Sequence, residues 1–377
     1  MPTTRSTTSC VALATDDQGG EVSQRLLVTG AAGFIGSNFV RYWLGRHSED
    51  HVVGLDLLTY AGDQRNLDGL DVRLVEGDVC DLGLVERVLA EEQIEVVVNF
   101  AAESHNSLAV VDPGRFFRTN VLGTQTLLEA ARRHGVARFH HVSTCEVYGD
   151  LALDSDAAFT QDSPYRPRTP YNASKAAADH AVRAYFETFG LPVTITNCSN
   201  NYGLRQFPEK LIPLFLTNAL DDRELPLYAS TGNRREWLHV DDHCAAIELA
   251  LEQGRDGETY NVGSGVERSI EEIGDLVLEL TGKPESLKSI VPDRPGHDRA
   301  TSSTLRSYDA NSGGSGGSPS MRGYAPRPIG MSRTVLGGSP SRSARRCARA
   351  SGAQRGSQEA ALRGLMIRGA PNLQGDA

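Results

Sequence analysis

A glycine-rich turn near the N-terminus places the strongest constraint on the fold of this 377-residue chain. Thr29-Gly30-Ala31-Ala32-Gly33-Phe34-Ile35-Gly36 follows a short apolar run and leads into helical spacing. Gly30 permits a tight bend, Gly33 lets a phosphate approach backbone N–H groups, and Gly36 lets the helix pack on the strand. The segment therefore predicts a strand–turn–helix unit that holds a pyrophosphate.

An acidic residue extends this pattern. Asp56 ends the second predicted strand, 26 residues after Gly30. A carboxylate there can accept a hydrogen bond from the ribose 2′-hydroxyl of NAD and repels the 2′-phosphate of NADP. A lone glycine pattern also occurs in tight turns without a ligand. The strand, helix and acid together favour an NAD site.

Strand and helix patterns alternate over the first 200 residues. Strands are predicted at Arg25–Thr29, His51–Leu55, Val72–Val75, Glu95–Asn99, Arg138–Val142 and Val193–Asn197, and helices at Phe34–Leu44, Leu82–Glu92, Phe116–His134 and Tyr171–Phe189. Strands that are nearly unbroken Val/Leu runs between helices indicate a parallel sheet covered on both faces. We predict an α/β fold, a Rossmann doubly wound parallel sheet with a smaller C-terminal substrate-binding region.

This pattern divides the chain into four parts. Residues 1–24 are a Ser/Thr-rich disordered leader, and residues 25–200 form the NAD-binding domain, with later strands near 236–262 contributing. Residues 201–299, with helices predicted at Lys210–Leu220, Asp241–Glu252 and Ile270–Thr281, form the substrate-binding region. Residues 300–377 are low in complexity and too poor in apolar residues to order themselves.

Composition narrows the class of protein. From Arg299 onward the chain has 12 Arg against 3 acidic residues, a net of +9 that leaves −19 for residues 1–298. An acidic body argues against a nucleic-acid partner. The six cysteines are scattered, which indicates neither a disulfide framework nor a metal site. The longest apolar run of the leader is too short for a signal peptide, and the chain lacks the roughly 18 apolar residues of a membrane span. These features predict a cytoplasmic protein.

A second motif suggests the chemistry. Tyr171 and Lys175 are four residues apart on a predicted helix, so that the lysine ammonium can depress the pKa of a tyrosine that takes the proton of an alcohol. Such a pair is also common on helix surfaces. Ser143 and Thr144, at a strand end, are placed to hold the substrate hydroxyl. Together these residues indicate oxidation of a secondary alcohol with a nicotinamide cofactor.

Nearby residues allow more than one interpretation. Glu146 follows in the same loop and is either a general base or a solvated acid. Cys145 is by default a small buried residue. His140 and His141 are interpreted as strand packing and surface residues.

These motifs resemble those of a known family. The glycine turn with Tyr171-x-x-x-Lys175 resembles the extended short-chain dehydrogenase/reductase superfamily. Four later segments resemble the dTDP-glucose 4,6-dehydratase family, namely Asn197–Gly203, Phe207–Pro213, Arg235–His243 and Asp293–Asp298. The similarity runs from about Arg25 to Arg299.

The resemblance implies a lyase cycle and a set of site residues. Tyr171, helped by Lys175 and Thr144, takes the proton of the C4 hydroxyl, Glu146 removes the C5 proton, water leaves from C6, and the hydride returns to C6. The implied catalytic residues are Thr144, Cys145, Glu146, Tyr171 and Lys175. The implied cofactor contacts are Gly30, Gly33, Phe34, Ile35, Gly36, Asp56, Thr59, Asp78, Val79, Ala101, Thr119, Tyr171, Lys175 and Asn201. The implied sugar-nucleotide contacts are Thr144, Asn200, Glu209, Lys210, Leu211, Arg235, Asn261, Asp293, Arg294 and His297. Helices Phe116–His134 and Tyr171–Phe189 match those that form a homodimer in the superfamily.

The sequence departs from the family pattern around the sugar. Cys145 stands where the family has the aspartic acid that protonates the leaving C6 hydroxyl. Asn106-Ser107-Leu108 stands where an Asp and an Arg are usual, and Leu57 and Leu204 replace a Lys and a Pro. The alternatives are therefore another sugar-nucleotide dehydratase or epimerase, such as a 5,6-dehydratase, or a non-catalytic NAD-binding regulator.

The last departure is the tail. The family continues after Asp298 with Arg-Tyr, a strand and closing helices, whereas this chain reads Ala300-Thr-Ser-Ser-Thr304. A G/C-rich coding sequence for the family's Arg-Tyr-Leu-Leu-Asp-Ser-Thr gives Ala-Thr-Ser-Ser-Thr when read one base out of phase. Residues 300–377 are hypothesised to be a frameshift product; the alternative is a basic disordered tail that binds an anionic partner.

Overall fold

Seven parallel strands form the central sheet. In the computed structural model, which describes residues 23–154, 157–293 and 300–301, the strands are β1 (Arg25–Thr29), β2 (His51–Asp56), β3 (Arg73–Glu76), β4 (Val96–Asn99), β5 (Arg138–Thr144), β6 (Val193–Cys198) and β10 (Thr259–Val262). They lie in the order β10-β6-β5-β4-β1-β2-β3, and each neighbouring pair is parallel. The predicted α/β Rossmann fold is confirmed.

Helices cover both faces of this sheet. They are α1 (Phe34–Leu44), α2 (Leu82–Glu91), α3 (Asn106–Val111), α4 (Pro113–Phe116), α5 (Thr124–His134), α6 (Pro170–Phe189) and α8 (Val240–Glu252). Alternation along β1 shows how the core is divided. Leu26 and Val28 pack with residues of α1 and α8, whereas Leu27 packs with residues of α2, α5 and α6. Successive side chains of a strand point to opposite faces, so one short apolar strand serves both layers.

The helix predicted at Phe116–His134 is interrupted. A π-helical stretch, Phe117–Gly123, lies between α4 and α5. Within it, the buried Asn120 accepts a hydrogen bond from the backbone N–H of Glu103 at 2.8 Å and donates to Ser174 Oγ at 2.8 Å. The wider turn thus ties the loop after β4 to α6, and π-helical turns are frequent at functional sites.

The later part of the chain adds smaller sheets. A four-stranded sheet is built from β7 (Asn200–Tyr202), β9 (Arg234–His239), β11 (Glu267–Ser269) and β13 (Ala300–Thr301). A parallel pair is formed by β8 (Leu225–Tyr228) and β12 (Lys288–Val291), beside α7 (Leu211–Leu220) and α9 (Ile270–Thr281). Their individual strand patterns were too short to predict, since three or four residues carry little periodicity.

Some sequence interpretations lie outside the described residues. These are the first 22 residues of the predicted leader, the tail from residue 302, and the candidate sugar-nucleotide contacts Arg294 and His297. Within the described ranges, the helices are too short or too polar to cross a membrane.

Candidate active site

The glycine turn is packed so tightly that side chains are excluded. Gly30 has a φ of +65°, and a Cβ there would lie 2.9 Å from the backbone nitrogen of Ala101. A Cβ on Gly36 would lie 2.2 Å from the carbonyl oxygen of Gly30, which is far inside van der Waals contact. The end of β1 and the start of α1 therefore meet backbone to backbone.

The start of α1 is suited to an anion. Gly33 is its N-cap, and no side chain of the described residues caps it; the first turn contains no acidic residue. The first N–H groups of a helix have no partner within the helix, and the helix dipole favours negative charge there. Phe34 and Ile35 supply two of these N–H groups. The turn can therefore hold the pyrophosphate of NAD.

Asp56 holds the turn in place. Its carboxylate accepts hydrogen bonds from the backbone N–H of Ala32 at 2.9 Å and of Leu58 at 2.8 Å. Burial raises the pKa of Asp56, and these backbone hydrogen bonds act in the opposite direction. Each carboxylate oxygen can accept a further hydrogen bond, so capacity remains for a ribose hydroxyl.

The other candidate cofactor residues follow the same edge of the sheet. Thr59 follows β2, Asp78 and Val79 follow β3, Ala101 follows β4, Thr119 lies in the π-helical stretch, and Asn201 lies in β7. Asp78 pairs with Arg118 at 2.8 Å. Although burial raises the pKa of Asp78, hydrogen bonds from Cys80 and Arg118 lower it overall. Ligands of doubly wound sheets bind at this carboxyl edge.

Three of the candidate catalytic side chains meet at the end of β5. Thr144 ends the strand, and its hydroxyl is hydrogen-bonded to Tyr171. It also accepts a hydrogen bond from the backbone N–H of Glu146 at 3.3 Å. Tyr171 is the second residue of α6, after Pro170, and the rings of Phe116 and Tyr171 meet edge to face with their centroids 6.3 Å apart. The phenol of Tyr171, the hydroxyl of Thr144 and the carboxylate of Glu146 therefore lie close together.

The acidity of Tyr171 differs from the sequence prediction. Burial raises the pKa of the phenol well above its usual value, and the nearby Glu146 adds to the increase. The hydrogen bond with Thr144 acts in the opposite direction but is weaker. The described surroundings therefore do not produce the depressed pKa that the Tyr171–Lys175 spacing predicted, because desolvation of the phenolate outweighs the groups that favour it.

Lys175 lies beneath this group. Its side chain is buried, and Nζ donates a hydrogen bond to the carbonyl of Val142 at 2.7 Å and lies 3.2 Å from His141 Nε2. Burial lowers the pKa of Lys175 to about 8. The lysine is thus an interior group of α6 rather than one half of a surface pair.

A buried polar chain behind Lys175 was missed. Both His140 and His141 are fully buried, so the interpretation of one as a surface residue was wrong. His141 Nδ1 lies 3.1 Å from Asn99 Nδ2, and Asn99 Oδ1 accepts a hydrogen bond from Thr29 Oγ1 at 2.7 Å. Adjacent residues of a strand covered on both faces are both buried, and that rule was the signal available in the sequence.

The surroundings of Cys145 are apolar and do not favour the loss of its proton. The thiol is 1% exposed and packs with Val147, Tyr148, Phe159 and Ala176. Burial raises the pKa of Cys145 well above its usual value. Glu146 is different, since it is partly exposed and its Oε2 accepts a hydrogen bond from Asn106 Nδ2 at 3.4 Å.

The candidate sugar-nucleotide residues fall into two groups. Glu209 and Lys210 contact the loops that follow β2 and β4. Glu209 accepts a hydrogen bond from the Tyr60 hydroxyl at 3.0 Å, and Lys210 Nζ donates to the Ser104 carbonyl at 2.9 Å. Leu211 begins α7, and Asn200 has a buried side-chain oxygen without a hydrogen-bond partner among the described residues. An unpartnered oxygen of this kind fits a site for a polar ligand.

The second group is engaged within the protein. Asn261 accepts a hydrogen bond from the Tyr148 hydroxyl at 2.7 Å and donates to the carbonyl of Phe159. Asp293 accepts hydrogen bonds from Ser230. Arg235 is buried in β9. The structure thus brings Glu209 and Lys210 to the cofactor loops more directly than these three.

The sheet, the glycine turn and the Tyr171–Lys175 helix define a class of nucleotide-dependent Rossmann enzymes. The chain belongs to the NAD dependent epimerase/dehydratase family, whose model matches residues 26–263. It is 49% identical over 276 residues to a dTDP-glucose 4,6-dehydratase of Mycobacterium tuberculosis, covering 73% of this chain and 82% of that protein. It is 50% identical to the low-salt glycan biosynthesis protein Agl12 of Haloferax volcanii, covering 73% of this chain and 88% of that protein.

A solved structure is similar over most of its length. The dTDP-glucose 4,6-dehydratase DesIV of Streptomyces venezuelae, solved with NAD and dTDP bound, has a TM-score of 0.78 and 44% identity. The match covers 85% of this chain and 98% of DesIV. The family resemblance inferred from the motifs is confirmed.

Proposed function

We propose that this protein is an NAD-dependent lyase that converts dTDP-glucose to dTDP-4-keto-6-deoxyglucose. The observation that carries the proposal is the meeting of Thr144, Glu146 and Tyr171 above the buried Lys175, at the sheet edge where the glycine turn lies. Relatives that carry this activity by name support the choice of substrate.

Each residue has one task in this proposal. Tyr171, once ionised, accepts the proton of the C4 hydroxyl while Thr144 orients that hydroxyl. This role requires the bound cofactor and substrate to offset the burial that raises the pKa of the phenol. NAD, when bound, takes the hydride from C4 and later returns it to C6. The C4 ketone acidifies the neighbouring C–H bond, and Glu146 removes the C5 proton. The hydroxyl then leaves C6 as water, and Glu146 gives its proton back to C5 as the hydride returns to C6.

The leaving hydroxyl needs a proton, and here the chain is unusual. The thiol of Cys145 is a weaker acid than the carboxylic acid of the family pattern, and burial weakens it further. We propose that elimination is the slow step of this protein, because Cys145, a water or another group supplies that proton less efficiently.

The binding roles follow the same division. Residues 25–200, with β10, hold the cofactor through Gly30, Gly33, Gly36 and Asp56, and residues 201–299 hold the nucleotide sugar. Lys210 and Arg235 suit the charge of a diphosphate. Arg294 and His297 are proposed for the same group.

The setting of the protein is part of the proposal. We propose a cytoplasmic homodimer that makes a deoxysugar for an antibiotic or a surface polysaccharide. Phe117, Leu122 and Phe189 support the dimer, since these large apolar side chains are exposed on the helices that the family resemblance assigns to it. The cysteines of the described residues form no disulfide, as expected in a reducing compartment.

The test is incubation of the purified protein with dTDP-glucose. The 4-ketone is followed by its absorbance in alkali and the product by mass, with a loss of one water expected and a methyl group at C6. An exocyclic enol ether indicates a 5,6-dehydratase, and an isomer of unchanged mass indicates an epimerase. Bound NAD without turnover of dTDP-, UDP- or GDP-sugars supports the regulator instead.

A further inference from the structure

Lys175 carries its charge where solvent does not reach it. The residue is 3% exposed, and its recorded hydrogen-bond partners, the Val142 carbonyl and His141, bear no negative charge. A buried ammonium is costly unless an opposite charge lies nearby. Burial also lowers the pKa of His141 well below its usual value, so the imidazole is neutral and does not add a second positive charge.

Asp179 is placed to balance this charge. It lies one turn after Lys175 on α6 and is fully buried. Its Oδ2 accepts a hydrogen bond from Ser143 Oγ at 2.9 Å, and its Oδ1 lies 3.5 Å from His141 Nε2. This Oδ1 has no hydrogen-bond partner among the described residues, which is unfavourable for a carboxylate in the interior. An unsatisfied buried oxygen persists more readily when its charge interacts with a buried cation.

The sequence analysis did not identify Asp179 as a candidate site residue. We propose that Asp179 is a positioning residue, whose buried carboxylate is the counter-ion that keeps Lys175 charged at neutral pH. It acts through the lysine and does not touch the sugar. The part of this inference that concerns turnover rests on the proposed function, whereas the charge pairing does not.

Other groups face this pair and bear on its titration. They are His141 and Ser143 from β5, Tyr165 from the loop before α6, Cys198 from β6 and Arg183 from α6. The Tyr165 hydroxyl is hydrogen-bonded to Asp179 and lowers the pKa of that carboxyl. Burial raises the pKa of Asp179 to about 6, against the favourable charge of Lys175. The interaction between the two groups therefore predicts that each senses the protonation of the other.

The chain offers a direct measurement, because it contains four lysines, Lys175, Lys210, Lys283 and Lys288. The full-length protein is labelled with [ε-¹³C]lysine and titrated by NMR, and the Lys175 resonance is assigned by its loss in Lys175→Arg. We expect a main transition at about pH 8 and a smaller inflection at about pH 6, where Asp179 takes up its proton.

Asp179→Asn then removes the charge and keeps the shape. We expect the main transition of Lys175 to move down by about one pH unit or more, which corresponds to a tenfold lower proton affinity. The lower inflection should disappear. Asp256→Asn is the matched control, since it removes the carboxylate that pairs with Arg138 at 2.9 Å and should leave Lys175 unchanged. An unshifted Lys175 in folded Asp179→Asn overturns the proposal. So does a wild-type resonance without the lower inflection, a result that needs no variant.

Turnover provides the second readout. In Asp179→Asn, the alkaline limb of the pH profile of kcat should move down by the same interval while KM for dTDP-glucose is unchanged. A purely structural role for Asp179 lowers the melting temperature and leaves both the pH profile and the lysine titration in place. If the wild-type protein fails to turn over dTDP-glucose, the proposed function fails, and the NMR titration still decides whether Asp179 is the counter-ion.

Discussion

The turns after β1 and β5 lie at the same edge of the sheet but depend on different properties of their residues. After β1, close contact between backbone atoms excludes side chains, since a Cβ on Gly36 would lie 2.2 Å from the Gly30 oxygen. After β5 the short helix Cys145–Tyr148 begins at its Thr144 cap, buries Cys145 among apolar side chains and ends at Gly149, whose φ is +100°. The first turn is therefore restricted by glycines along its length, whereas the second is restricted at Gly149 and holds a side chain at position 145.

The largest effect should come from the phenol of Tyr171, which is hydrogen-bonded to Thr144 at the second turn. Tyr171→Phe removes the proposed base and should lower kcat about 1,000-fold, within the usual range for a general base. NAD should stay bound, since the ring remains. Tyr185→Phe is the control and should leave kcat nearly unchanged, because this partly buried tyrosine of the same helix contacts Glu129 of α5. Steady-state kinetics with dTDP-glucose decides, and a loss below tenfold contradicts the assignment.

The next effect tests the first turn. Gly36→Ala forces the start of α1 away from β1 and should lower the free energy of unfolding by about 2–3 kcal/mol, as overpacking does. NAD affinity should fall with it. Gly232→Ala is the control, because a Cβ there has no described atom within 4 Å. Urea denaturation measures both variants, and equal stabilities would show that the turn is less restrictive than its distances indicate.

The missing acid defines a third test. Cys145→Asp should raise kcat about tenfold, because burial keeps the new carboxylic acid protonated and able to donate. Cys145→Asn has a similar shape and should destabilise the protein without a gain in rate. Turnover and thermal melting are measured for both. If Cys145→Asp leaves kcat unchanged, the proton of the leaving hydroxyl comes from elsewhere.

The smallest effect should come from the contact between Tyr60, in the loop after β2, and Glu209, which lies before α7. Tyr60→Phe removes a hydrogen bond to Glu209 and should raise KM for the nucleotide sugar about 3–10-fold. NAD affinity should be unchanged. Tyr42→Phe removes a similar tyrosine–glutamate hydrogen bond, to Glu248, at a distant position and serves as the control. Equal KM values for the two variants would place Glu209 outside the sugar site.

The same contrast explains what the sequence could predict. The strands and helices around the glycine turn were predicted closely, since β1 and α1 have the expected bounds and β2 differs by one residue. In the later region, the long helix α9 also has the expected bounds. Long apolar periods and backbone requirements are local properties of the sequence. The small strands of the later region were not predicted, because their pairing depends on residues far apart in the chain.

The candidate site was predictable in part. The spacing of Tyr171 and Lys175 and the position of Thr144 and Glu146 after a strand placed these residues together, as the structure describes. The raised pKa of Tyr171 and the role of Asp179 were out of reach, since both depend on burial and on neighbours from several elements. The π-helical stretch was missed because its signal is a tertiary contact of Asn120 and not a local pattern.

The position of β10 has a practical consequence. The polypeptide leaves the main sheet after β6 and returns to it at Thr259–Val262, where it pairs with Ile195–Cys198. A shortened chain that stops at residue 200 would leave β6 as an edge strand with unpaired backbone N–H and C=O groups. Such a fragment should aggregate rather than bind the dinucleotide. Residues 25–200 are therefore not expected to fold as an independent domain, although their sequence pattern is that of a complete cofactor-binding unit.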